Sequence, residues 1–283
     1  MTFEFDGEKY KKASTHQKEW GAKLIGEFEF TGSEHILDLG CGDGAITAQL
    51  AGLVPNGFVL GIDASQGMIK TARDNYRQDN LKFELLDINS LNFTNRFDII
   101  ISNAALHWVK DHETLLHNVH HALKDKGTAR FNFAADGNCA NFFRISKEVM
   151  QLPKYAGYFT DFIWPWYMPD LEEYKSLAVR FPFSEVTVWG ENADRYFPKA
   201  ETMIKWIDQP SIVPFLKYLS KPDKKAFRNT VVEKMIQETT QPDGTCFETF
   251  RRVNLKAKKQ GRWRPTRSPR PSRANSSNPG PTI

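Results

Sequence analysis

Gly40, Gly42 and Gly44 stand at alternate positions just after the apolar run HILDL (35–39), and Asp38 sits inside that run. Glycines so placed let backbone N–H groups approach a nucleotide-like ligand with no side chain between. The dinucleotide fingerprint G-x-G-x-x-G would bring its third glycine one residue later. Further polar residues close the next apolar runs: Asp63 after FVLGI, Asp87 after LKFELL and Asn103 after FDIIIS. Asp63 follows Gly40 by 23 residues, near the spacing at which a carboxylate accepts hydrogen bonds from ribose hydroxyls. Asp87 suits an exocyclic adenine amine, and Asp38 a cationic amino group. A nicotinamide dinucleotide offers no such amine at that place, and a nearby carboxylate repels its pyrophosphate.

The elements that must position these residues alternate through the first half of the chain. Strands are predicted at 35–40, 58–63, 81–87, 97–103 and 128–134, the fourth apolar throughout, as in a central parallel strand. Helices are predicted at about 45–53, at 65–77 with Ser65 as N-cap, and at 112–127 ending on Gly127. Such alternation argues for a doubly wound parallel sheet, whose ligands bind beyond the carboxyl ends of the strands where the strand order reverses. After Ala134 the rhythm changes. A helix at about 140–152 leads into YAGYFTDFIWPWY (155–167), rich in aromatic residues, and helices follow at 200–208 and 224–239. SEVTVWG (184–190) and TCFETFRRVNLKAK (245–258) read as closing strands.

An ammonium, a ribose and an adenine without phosphate describe S-adenosylmethionine (SAM). The ordered set LDLGCGDG, GID, LLDI and NAALHW resembles the class I SAM-dependent methyltransferases over about residues 8–258. The resemblance implies a Rossmann-like, mostly parallel seven-stranded α/β sheet with helical cap insertions in about 140–183 and 198–242. It also implies SAM as cofactor. Asp38, Gly40, Cys41 and Gly42 would face the methionine part, with Asn103 beneath it. Asp63, Ala64 and Met68 would hold the ribose and flank the adenine, and Asp87 and Ile88 would address its amine. Tyr10 and Gln17, on an N-terminal helix, are candidate cofactor contacts. Another nucleotide on a similar sheet is the alternative.

NAALHWVKDHETLL (103–116) narrows the resemblance to trans-aconitate and juvenile hormone acid methyltransferases, which methylate a carboxylate oxygen. The trans-aconitate likeness extends through 197–219 and the late TFRRVNLKA segment. It implies a small carboxylic acid as acceptor. A carboxylate is ionised at neutral pH, so no catalytic acid or base is expected, only orientation and proximity. His107, Trp108, Arg144, Trp164, Trp166 and Tyr167 are the candidate acceptor-binding residues, with Arg195 a weaker one. Against each stands plain packing or a surface role. Two alternatives are an amine or hydroxyl acceptor, with His107 as the available base, and a SAM-binding regulator without turnover. His117, His120 and His121 include an i, i+4 pair, but no carboxylate or cysteine completes a metal site nearby, and no metal is expected.

The net charge of +4 is concentrated in the last 24 residues, which hold five arginines and no acid. Without them 33 basic residues face 34 acidic ones, a net charge of −1, so residues 1–259 give no electrostatic support for a nucleic-acid partner. Residues 260–283 have the composition of a disordered basic tail. The three cysteines form neither a disulfide framework nor a metal pair. With no membrane segment and no signal peptide, the expectation is a cytoplasmic monomer.

Overall fold

The structure is a computed structural model and describes residues 15–261. Tyr10 and nearly all of the basic tail lie outside them. Helix α1 (Thr15–Ile25) precedes β1 (His35–Leu39), α2 (Ala45–Leu53), β2 (Phe58–Asp63), α3 (Gln66–Asn75), β3 (Leu81–Leu85) and β4 (Phe97–Asn103). Then come α4 (His112–Ala122), β5 (Leu123–Ala134), α5 (Ala140–Met150), α6 (Leu171–Ala178), β6 (Phe183–Asn192) and β7 (Arg195–Phe197). The chain closes with α7 (Ala200–Trp206), α8 (Val213–Leu216), α9 (Lys221–Thr239), β8 (Cys246–Glu248) and β9 (Arg251–Lys259).

The seven-stranded sheet has the order β3-β2-β1-β4-β5-β9-β6, and β7 and β8 pair separately. Strands β1 to β5 pair in parallel, while β9 runs antiparallel between β5 and β6. The chain winds outward from β1 to β3 and then returns to place β4 on the other side of β1. The reversal lies between β1 and β4, both of which end in the polar or glycine residues singled out above.

Side chains alternate across the sheet, so the apolar strands feed two cores. Ile36, Val59, Ile99 and Ile101 pack against Leu24 of α1 and Leu50 of α2. Leu37, Leu39, Leu60, Ile62 and Ile100 pack on the other face against Leu115 and Val119 of α4 and Tyr174 of α6. Each such fully buried side chain contributes about 1.5–3 kcal/mol. A third core holds the cap together: Phe142 and Ile145 of α5, Met203 and Trp206 of α7, Phe215 of α8, and Phe227 and Val231 of α9.

The helix expected over 112–127 ends five residues early, at Ala122. Leu123 already pairs with Phe97 of β4, and the ladder then slips through a bulge before Thr128 meets Ile99. Lys126 takes φ of 67° in that bulge, and Lys124 Nζ ties it to Asp98 Oδ2 at 2.6 Å. Pairing with β4 therefore outweighs the helical propensity of LKDK. The late strand 245–258 is split in two by Thr249 and Phe250.

Candidate active site

Local geometry makes the β1 loop a ligand cradle. Gly40 and Gly42 carry φ of 73° and 54°. Gly40 N and Cys41 N both donate to Ile62 O, at 2.8 and 2.9 Å, folding the loop against β2. A Cβ on Gly40 would lie 2.2 Å from Ala105 Cβ, so a side chain there would collide with the loop after β4. Asp63 braces the cradle: its Oδ2 accepts from Gly42 N at 3.0 Å and its Oδ1 from Ser65 N at 2.9 Å. Asp87 Oδ1 accepts from Asn89 N at 2.9 Å, capping the turn Ile88–Ser90.

A cavity of about 280 Å³ extends from these strand ends to the cap. Gly40, Gly42, Asp63, Ala64 and Met68 line it, as do Asp87, Ile88, Asn103 and Gln17. Asp38 and Cys41, expected to face the ligand, do not line it. Asp38 lies on the Ile36 face of β1, under α2, where its Oδ2 accepts the Thr47 hydroxyl at 2.7 Å. It is 2% exposed. Burial, with the Asp63 charge adding to it, pushes its carboxyl up to about 7 despite the Thr47 bond. Cys41 packs against Ile69, Ala72 and Phe83, and burial pushes its thiol up.

Gln17 and Asn103 meet in the cavity wall. Asn103 Nδ2 donates to Gln17 O at 2.7 Å, fastening α1 over the end of β4. Asn103 Oδ1 and Gln17 Oε1 are buried and have no hydrogen-bond partner among the described residues. An unpaired buried acceptor costs about 1–3 kcal/mol, so two in one cavity wall call for a ligand rich in donors. The ammonium of SAM is such a group, and the cradle leaves room for its backbone approach. The residues present therefore fit SAM.

Beyond β4 the cavity walls become aromatic. Trp108 and Trp166 meet with ring centres 5.3 Å apart, and Phe143 lies 5.0 Å from Trp166. His107 faces the same space, its Nδ1 buried without a partner among the described residues. Burial first, then the Arg252 charge, depress its pKa to about 3, so the ring is neutral. Ala104 and Cys139, at φ of 57° and 52°, are two of four described non-glycine residues with positive φ, and both line the cavity. Backbone strain of this kind gathers at functional sites.

Of the other anticipated acceptor residues, only Trp166 and Trp108 reach the cavity. Arg144 is a correction: it points to solvent and pairs with Glu148 Oε1 at 2.8 Å and Glu238 Oε2 at 2.7 Å, so α9 already uses its charge. Trp164 packs outside the cavity on Phe143 and Phe215, with Lys147 over its ring. Tyr167 turns to the α4 side, against His112 and with its hydroxyl donating to Glu173 Oε1 at 3.0 Å. Arg195 pairs with Glu19 Oε2 at 2.6 Å. His117, His120 and His121 lie on α4, where the His117 ring meets His121 at a tilt and His120 meets Phe183 edge-on.

A family model described as a methyltransferase domain matches residues 31–166. The trans-aconitate 2-methyltransferase of Deinococcus radiodurans is 30% identical over 223 residues, covering 77% of this chain and 84% of that protein. The chain belongs to the class I SAM-dependent methyltransferases. A malonyl-[acyl-carrier protein] O-methyltransferase of Acetivibrio thermocellus is 30% identical over 134 residues, 47% of each chain. A Haemonchus contortus phosphoethanolamine N-methyltransferase, solved with S-adenosylhomocysteine, shares the fold at a TM-score of 0.58 and 19% identity, covering 90% of this chain and 57% of its own. SAM is the cofactor of this methyltransferase. No described helix is long and apolar enough to cross a membrane.

Sequence reasoning passed over several lining residues: Trp20, Lys110, Asn138, Trp206, Phe250 and Arg252. Arg252 carried one signal. Arg251 and Arg252 are neighbours on a strand, so one must face in, but only the register shows which. Arg251 pairs with Asp194 near the surface, and Arg252 is 3% exposed.

Proposed function

We propose that this methyltransferase moves the methyl group of SAM to a carboxylate oxygen of a small polycarboxylic acid such as trans-aconitate, giving the methyl ester. The partition of charge along the cavity carries the reading. The acids in its lining are Asp63 and Asp87, at the cofactor strand ends, whereas the cations, Lys110 and Arg252, come from beyond β4. The acceptor compartment thus favours an anion. The likeness to the Deinococcus protein runs through the cap that shapes this compartment, while the malonyl-[acyl-carrier protein] likeness spans less than half the chain. Segments 140–183 and 198–242 serve in this reading as the cap over the acceptor.

When bound, SAM supplies an electrophilic sulfonium methyl. The protein has to place an acceptor oxygen in line with it and keep water out. Correct orientation is worth roughly 7–11 kcal/mol. Trp108, Trp166 and Phe143 provide the apolar wall, and Lys110, whose Nζ donates to Trp166 O at 2.8 Å, holds the Trp166 segment in place. His107, with its pKa near 3, is a poor base, which disfavours an amine or hydroxyl acceptor that must lose a proton. As a neutral ring it can donate one hydrogen bond to a carboxylate.

The test is incubation with methyl-labelled SAM and a panel of trans-aconitate, related di- and tricarboxylic acids, fatty acids, amines and phenols. Base-labile label on a polycarboxylic acid is expected. Label confined to amines or phenols refutes the proposal.

A further inference from the structure

Arg252 is a buried guanidinium in the cavity wall, one of the two cations that give the acceptor compartment its charge. It belongs to β9 and stands opposite Ala134 of β5. Its fork is held firmly. Nε and Nη2 donate to Asn132 Oδ1 at 3.0 and 2.6 Å, and the guanidinium carbon lies 4.2 Å from the ring centre of Trp20. Asn132 is fixed in turn, because its Nδ2 donates to Asn254 Oδ1 at 2.8 Å. A planar cation held this way matches a planar carboxylate better than a flexible ammonium would.

Arg252 springs from β9, but its guanidinium reaches back to Asn132 of β5, the residue paired with Asn103 at the end of β4. The cofactor cradle lies at β1 and the neighbouring strand ends. Arg252 and His107 both line the cavity.

We propose that Arg252 binds a second, non-reacting carboxylate of the acceptor and thereby selects di- and tricarboxylic acids over monocarboxylic ones. This rests on the carboxyl-methylation reading. The reacting carboxylate sits by the methyl group, and the other reaches back to the Arg252 guanidinium.

The test compares the wild type with Arg252→Gln and Arg252→Lys. Each protein, saturated with S-adenosylhomocysteine, is titrated calorimetrically with trans-aconitate and with crotonate, and ester formation from labelled SAM is followed for both acids. Arg252→Gln should raise Kd and KM for trans-aconitate by about ten- to a hundredfold, the loss of one charge-assisted hydrogen-bonded pair. Crotonate should be affected much less, Arg252→Lys should recover part of the loss, and S-adenosylhomocysteine affinity should hold, showing the variant folded. Equal loss for both acids overturns the assignment and leaves carboxyl methylation standing. So does a wild type that esterifies crotonate as well as trans-aconitate. Loss of S-adenosylhomocysteine affinity instead would place Arg252 on the cofactor and also overturn it. A wild type that neither binds nor esterifies either acid overturns both readings.

Discussion

Asp38→Asn should change how stability depends on pH, and the size of the change follows from burial. Asp38 sits under α2 with Thr47 as its bonded neighbour, and its carboxyl is pushed up to about 7. An unfolded chain returns it to about 3.9. Between those values the unfolded chain has lost the proton and the folded protein keeps it, so folding stability from this group falls as pH rises. The contribution is whole below about pH 4, declines through about pH 7 and is level above. Roughly three pH units at about 1.4 kcal/mol each amount to about 4 kcal/mol. Asparagine can still accept the Thr47 hydroxyl but does not titrate. Urea unfolding of ligand-free wild type and variant at pH 4.5, 6 and 8 reads the difference. The variant should gain on the wild type by a few kcal/mol across that range. Parallel profiles would show that Asp38 is solvated or ion-paired in the folded state, and the reasoning would be wrong.

Asp63→Ala should weaken S-adenosylhomocysteine binding by about 1–3 kcal/mol in calorimetry, through loss of the hydrogen bonds that hold the Gly42 loop. Gly40→Ala should abolish cofactor binding and lower the melting temperature, because φ of 73° and the Ala105 contact both penalise a Cβ; a variant with wild-type affinity refutes the cradle. Arg144→Ala should leave kcat and KM for the acceptor within about twofold, since exposed ion pairs contribute little.

The sequence alone determined the cofactor half. HILDLG, FVLGID and FDIIISN are continuous apolar runs, and such runs become buried parallel strands wherever they are placed. A polar residue ending each run then falls on one edge of the sheet by geometry. That Asp63, Asp87 and Asn103 would gather along one cavity was legible for that reason, as was Ser65 as a cap, its hydroxyl accepting from Met68 N at 3.4 Å. Asp38 was expected to face the ligand, and the structure buries it on the Ile36 face, bonded to Thr47. Strand periodicity says that Asp38 shares a face with Ile36, but not that Thr47 waits on that face. The acceptor half was decided only in three dimensions. Arg144 lost its assigned role to Glu148 and Glu238, the latter 94 residues away. Arg252 reached the cavity because β9 inserts antiparallel beside β5, bringing it to Asn132 across 120 residues. Long-range pairing of this kind leaves no periodic mark along the chain, so a side chain's local pattern can give its face, and tertiary packing alone gives its partner.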